Sequence, residues 1–196
     1  MKSLSAALIS SLLAVNTISA HPAVSSHFQL STRGSDTDTN FERIPFSYVS
    51  FTSAFRRSAI HPQGWSTDDV TSFLDRAAAN MTAVQGGADN WAVVSNNKFV
   101  YSESSTTQTE FSLKTLDDVQ APRPLVWLDV QECVKAYRNH VLAQAKSDPS
   151  ARHSIQYFSE FVGNEKFPGG TFQAQGYFGD AGTDSMASGG PATTRL

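Results

Sequence analysis

Five histidines are the residues of this chain best able to do chemistry, and the first follows a small residue in NTISAHPAVSS, Asn16 to Ser26. Cleavage between Ala20 and His21 would leave His21 with a free α-amine beside its imidazole, two nitrogens that together chelate copper. A second imidazole would have to come from His27, His61, His140 or His153. No two histidines are spaced as His-x-x-x-His and no cysteine pair accompanies them, so the sequence carries no ready-made metal motif. His21 is also followed by a polar stretch rather than by a strand that could fix it, and ligand sites need rigid placement. The plainer reading is a histidine that happens to follow a cleavage site, and no cofactor is expected.

A histidine beside a carboxylate supports general acid–base hydrolysis. The candidate pairs are His153 with Glu160 and His61 with Glu132. Any domain of this size brings some histidine near some glutamate by chance. His140, next to Arg138 and Asn139, is accounted for by a solvated helix face. There is no Gly-x-Ser-x-Gly elbow, no phosphate loop and no dinucleotide fingerprint. GTDS, Gly182 to Ser185, lies in a low-complexity tail and reads as linker. Asn80-Met81-Thr82 is an N-glycosylation sequon, which makes Asn80 the modification candidate. Phe55-Arg56-Arg57 offers a dibasic processing site, and Thr194-Arg195-Leu196 fits the loose pattern of C-termini that add to a sheet edge. Both are short enough to arise by chance.

These residues have to be positioned by a fold, and the chain divides cleanly. MKSLSAALISSLLAVNTISA has one lysine, an apolar run from Leu4 to Val15 and then small residues, the pattern of a signal peptide over 1–20. That run is too short to span a bilayer, which takes about 20 residues. Residues 21–40, rich in Ser, Thr and Asp, read as a flexible leader. A single domain follows over 41–178, and 179–196, rich in Gly, Ser, Thr and Ala, is expected to be disordered. Within the domain, RIPFSYVSFTSAF, Arg43 to Phe55, reads as a strand. WSTDDVTSFLDRAAANM then reads as a helix. Ser66 and Asp69 form its cap, Val70, Phe73, Leu74, Ala77, Ala78 and Met81 share one face, and Gly86-Gly87 is its stop. Trp91–Ser95 and Lys98–Glu103 flank Asn96-Asn97 as a hairpin, with TQTEFSLKTL as the third strand of a meander. A second helix starts near Asp129, with Val130, Cys133, Val134, Tyr137, Val141 and Leu142 as its stripe. RHSIQYFSEFVG and GTFQAQGYFG close the domain as two strands. Helices separated by runs of strands predict an α+β fold, an antiparallel sheet with both helices on one face.

Composition narrows the function. A net charge of −3 gives no field that pulls the protein to nucleic acid or anionic lipid, and neither partner is expected; nor is a membrane span, and a monomer is. Thirteen phenylalanines and three tryptophans suit an aromatic core. Cys133 stands alone, so no intrachain disulfide can form, whereas exported domains that need reinforcement recruit bridges. A domain this long has core enough without them. The sharper alternative is that the protein finishes in a reducing compartment. Cys133 falls on the apolar face of its helix and reads as a small buried hydrophobe rather than a reactive thiol. Trp65 and Trp127 flank the two helix starts and are candidate anchors of a binding patch; adjacent apolar runs make a core position the plainer reading.

Taken together, the signal peptide, small acidic disulfide-free domain, aromatic α+β core and polar ends resemble the small secreted effector proteins of filamentous fungi, particularly plant-infecting smuts. The resemblance is one of architecture over the whole chain, not of motif. It implies a secreted, non-enzymatic protein that binds and modulates a host protein, with entry into host cytoplasm as a further step. The alternatives are a small secreted, nuclease-like hydrolase using a His/carboxylate pair, and a copper-binding protein using His21. That last reading shares one residue with the copper site of lytic polysaccharide monooxygenases.

Overall fold

The first helix begins where Ser66 can cap it. The computed structural model describes residues 41–52, 57–103, 107–116, 120–166 and 168–182, and places α1 at Thr67–Gln85. The Ser66 hydroxyl accepts the Asp69 amide at 3.1 Å and the Asp69 carboxylate accepts the Ser66 amide at 3.1 Å, which satisfies two otherwise orphaned donors. The Ser66 hydrogen bonds also hold the Asp69 carboxyl below its ordinary range. Val70, Phe73, Leu74, Ala77 and Met81 bury one face, and Gly86 ends the helix at φ 60°, the left-handed conformation a side chain resists.

The second helix, α2, runs Trp127–Ser147 and so starts two residues before Asp129. Val126 at its N-cap has no side-chain oxygen; the Asp129 carboxylate reaches back instead to the Val126 amide at 3.0 Å. The first free amides of the helix donate to carbonyls of a distant segment. Trp127 donates to the Ala92 carbonyl at 3.2 Å and Leu128 to that of Asn90 at 2.8 Å. This corrects the hairpin reading of Trp91–Ser95. The segment bonds to the approach to α2, with an isolated Val93–Val126 bridge and Val94 N–H to Leu125 at 2.8 Å, so its backbone groups are not available to a neighbouring strand. Asn96 and Asn97 do adopt positive φ, but inside a one-turn 3₁₀ segment, Ser95–Asn97.

Among the described residues five strands remain: β1 Phe46–Thr52, β2 Lys98–Glu103, β3 Thr109–Lys114, β4 Gln156–Val162 and β5 Thr171–Asp180. They form one sheet in the order β1-β4-β5-β3-β2 with every neighbouring pair antiparallel, which is the α+β class expected. Strand β5 runs two residues past the anticipated domain end at 178. Asp180 is buried there, accepting the Ser58 hydroxyl and the Ala59 amide, the latter at 2.9 Å.

Residues opposite one another in the register share a face. Phe158 faces Gly176, Phe111 faces Phe178 and Glu160 faces Ala174. The helices cover this face: Phe73 of α1 and Tyr137 of α2 both meet the Phe178 ring, at 5.8 and 5.2 Å between centroids. Tyr137 in turn stacks on Phe158 at 5.8 Å, and Phe158 on Phe111 at 5.6 Å, so the core is a chain of aromatic contacts. Each such pair contributes about 0.5–1.5 kcal/mol beyond its buried area.

Gly176 is what lets that chain lie flat on the sheet. A Cβ there would sit 1.8 Å from Phe158 Cε2, and the ring is held between Tyr137 and Phe111. Gly176→Ala is therefore expected to cost about 1–3 kcal/mol through forced repacking, measured by urea unfolding; an unchanged midpoint would show that the ring moves freely.

Candidate functional site

The residues named for acid–base chemistry are not brought together. His153, 5% exposed, places Nδ1 3.0 Å from Gln144 Oε1 and Nε2 3.1 Å from Thr67 Oγ1. Glu160 lies on the helix-covered face of β4 among Asp129, Cys133 and Arg123. His61 places Nε2 2.7 Å from the Thr107 carbonyl oxygen and packs its ring 4.6 Å from Trp65, while Glu132 faces Lys135 at 3.7 Å on α2. Asn80 is half-buried within α1, and the Thr82 hydroxyl donates to the Ala78 carbonyl at 3.0 Å. His21, the leader, Phe55-Arg56, Thr183 to Ser185 and the C-terminal Thr194-Arg195-Leu196 lie outside the described residues.

Glu160 belongs to a buried ionic cluster that sequence reasoning did not assemble. Arg123 grips Asp129 through two bonds, 2.5 Å from Nη1 to Oδ2 and 2.7 Å from Nη2 to Oδ1, with neither side chain exposed. Two further Arg123 bonds reach backbone carbonyls: Nε to Ile44 at 2.6 Å and Nη1 to Pro124 at 3.1 Å. One guanidinium thus balances one carboxylate, and Glu160 is a second one. Neither of its oxygens is in hydrogen-bond geometry with a donor. Burial, and then the adjacent Asp129, push its carboxyl well above the ordinary range, so it keeps its proton where surface carboxyls have lost theirs. Burial, reinforced by Glu160, likewise pushes up the Cys133 thiol. A thiol so held is a poor nucleophile, in keeping with the buried hydrophobe read from the sequence.

The surface is more informative than the core. Trp65 and Trp127 are 3% and 8% exposed and belong to the packed interior. Trp91, which the sequence reading passed over as part of a strand, is half-buried, with the guanidinium carbons of Arg43 and Arg123 5.6 and 5.4 Å from its ring. On the sheet face turned away from the helices, Phe172, Phe161 and Tyr48 make a row across β5, β4 and β1. Phe161 meets Phe172 edge-on at 6.1 Å and stacks on Tyr48 at 4.8 Å and 11°. The row ends at Tyr48, 43% exposed on the edge of the sheet.

The two sheet edges differ in a way that bears on recognition. Strand β2, KFVYSE, carries Lys98 and Glu103. Glu103 is bound by Arg76 at 2.6 and 2.9 Å and by the Tyr101 hydroxyl at 2.7 Å; burial, then that carboxylate, push the phenol up to about 12. Charges of this kind discourage another strand from pairing. Strand β1, FSYVSFT, has no charged residue and no proline. A register irregularity between Phe46 and Tyr48 leaves Tyr48–Thr52 as a regular run. Aromatic, β-favouring residues on both faces mark this segment as a strand but carry no information on its place in the sheet.

Among the described residues no helix is long and apolar enough to cross a membrane. Comparison of the chain with protein-family models, with curated proteins and with solved structures finds no match.

Proposed function

We propose that this chain is a secreted, non-enzymatic effector-type protein that binds and modulates a host protein, and that strand β1 is where the partner docks. An extended, uncharged segment of the partner adds to β1 as a sixth strand, with main-chain hydrogen bonds supplying affinity and an apolar side chain of the partner packing on Tyr48. The observation that carries this reading is the uncharged edge strand with an exposed tyrosine at the end of an aromatic row, opposite an edge blocked by charge. The lack of any possible intrachain disulfide supports a working place in host cytoplasm, where bridges would be reduced.

The test is capture of partners from host tissue on the wild-type chain and on Tyr48→Lys and Ser50→Lys, both at exposed positions of β1. A specific host protein is expected on the wild type, with its Kd raised about tenfold or more by either lysine, roughly 1.4 kcal/mol. Equal capture by all three chains would move the docking site away from β1. A chain that enriches nothing yet hydrolyses RNA or glycan would overturn the binding reading itself.

A further inference from the structure

Four polar side chains from three parts of the fold meet at one end of the helix layer. Gln144 of α2 lies between two imidazoles, its Nε2 3.1 Å from His140 Nε2 and its Oε1 3.0 Å from His153 Nδ1. The other nitrogen of His153 is 3.1 Å from the hydroxyl of Thr67, the first residue of α1. His140 stacks on Phe51 of β1 at 4.2 Å and 15°. The His153 backbone is paired with Trp65 in both directions, at 2.8 and 2.9 Å, which ties the connection between α2 and β4 to the start of α1.

The hydrogens of this group can be counted. With both rings neutral, the amide donates to His140, His153 donates from Nδ1 to the amide oxygen, and Thr67 donates to His153 Nε2. One added proton fits in either of two ways. On His153, the Thr67 hydroxyl turns to accept. On His140, the amide turns over, offering its oxygen to His140 and its NH₂ to a His153 whose hydrogen has moved to Nε2. Two added protons do not fit. Both ring nitrogens facing Gln144 are then donors, and whichever way the amide lies its NH₂ meets an N–H.

We infer that His140, Gln144, His153 and Thr67 form a latch that accepts one proton and opens on the second, releasing the connection between α2 and β4 from α1 in acid. The charges carried by the surrounding elements do not relieve the conflict. Asp68 and Asp69 stand in the first turn of α1, Lys146 in the last turn of α2, and Arg152 beside His153, while β1 contributes the Phe51 ring. Asp69 is engaged by Ser66, and Asp148 by the Ser150 amide and hydroxyl at 2.9 and 2.7 Å. Among the described residues neither imidazole has a carboxylate ion pair. Burial holds His140 below its ordinary value, and burial followed by the nearby His140 does the same to His153. The unfolded chain therefore binds protons that the latch refuses, and its stabilising contribution is lost as pH falls through and below the histidine range.

The test follows hydrogen exchange of the Trp65 and His153 amides, corrected for intrinsic rates, from about pH 7 to about pH 4.5. Their protection is expected to fall about tenfold or more relative to amides of the β4–β5 ladder. His140→Phe, which keeps a ring on Phe51 but takes up no proton, is expected to retain it. Unchanged protection in the wild type, or equal loss in His140→Phe, would overturn the latch. Should that variant fail to fold, imidazole titration of the wild type by ¹⁵N NMR decides alone. Two coupled steps about 1 pH unit or more apart support the latch, and two independent curves of ordinary midpoint overturn it.

Discussion

Arg123→Met is expected to remove about 3–5 kcal/mol of stability, the cost of leaving one partner of a buried ion pair without the other. With a typical domain stable by about 5–15 kcal/mol, that is a large share of the whole. Methionine fits the space but supplies none of the donors that reach Asp129, Ile44 and Pro124. Asp129 would then stand buried beside Glu160 with no cation, and the Ile44 carbonyl would lose its guanidinium donor. Arg123→Met combined with Asp129→Leu is expected to recover most of the loss, because replacing both ions avoids desolvating either. About 1 kcal/mol should remain missing, since Asp129 also takes the Val126 amide at the start of α2. Urea unfolding of the two chains decides the matter. A single variant that loses less than about 1 kcal/mol would mean that Asp129 is already neutralised without Arg123.

Glu160→Gln is expected to stabilise the protein at neutral pH, by about 1.4 kcal/mol for each pH unit by which burial and Asp129 raise the carboxyl. The sign follows from the direction of the shift. The folded carboxyl holds its proton more tightly than the unfolded one, so the folded chain carries the extra proton above the ordinary glutamate value of 4.5. Stability then falls as pH rises from that value toward the raised one, and the penalty is absent below it. Glutamine cannot ionise, so the variant and the wild type should agree near pH 4 and diverge toward pH 7. Thermal unfolding across that range measures it; parallel curves would show that Glu160 finds a compensating partner in the folded chain. This trend opposes the histidine latch, which loses stability in acid, so the two are separable by their variants.

Local signals carried the elements whose ends are chemically marked. Ser66, Asp69 and Gly86 delimited α1 because a cap acts within four residues and needs no distant partner. Alternation around Phe111 and Leu113 and the Phe-rich runs at the C-terminal end located β3, β4 and β5 for the same reason. Where reading failed, a distant partner had taken the backbone. Trp91–Ser95 has the composition of a strand, yet the free amides at the start of α2 claim the carbonyls of Asn90 and Ala92, 38 residues from Leu128 and 35 from Trp127 (differences in residue number). Candidate chemistry fared likewise. His153 and Glu160 are seven apart in sequence, but one faces Gln144 and Thr67 and the other Asp129.

By itself, then, the sequence determined the class of the fold, the aromatic character of its interior, the isolation of Cys133 and the lack of bridges, because these depend on composition, short-range periodicity and counting. Only the tertiary structure decided which carboxylates share one guanidinium, which histidines share one amide and which strand is left uncharged at the edge. Those outcomes depend on the order of strands in the sheet and on the seating of α2 across it, which are set by contacts between residues far apart in the chain.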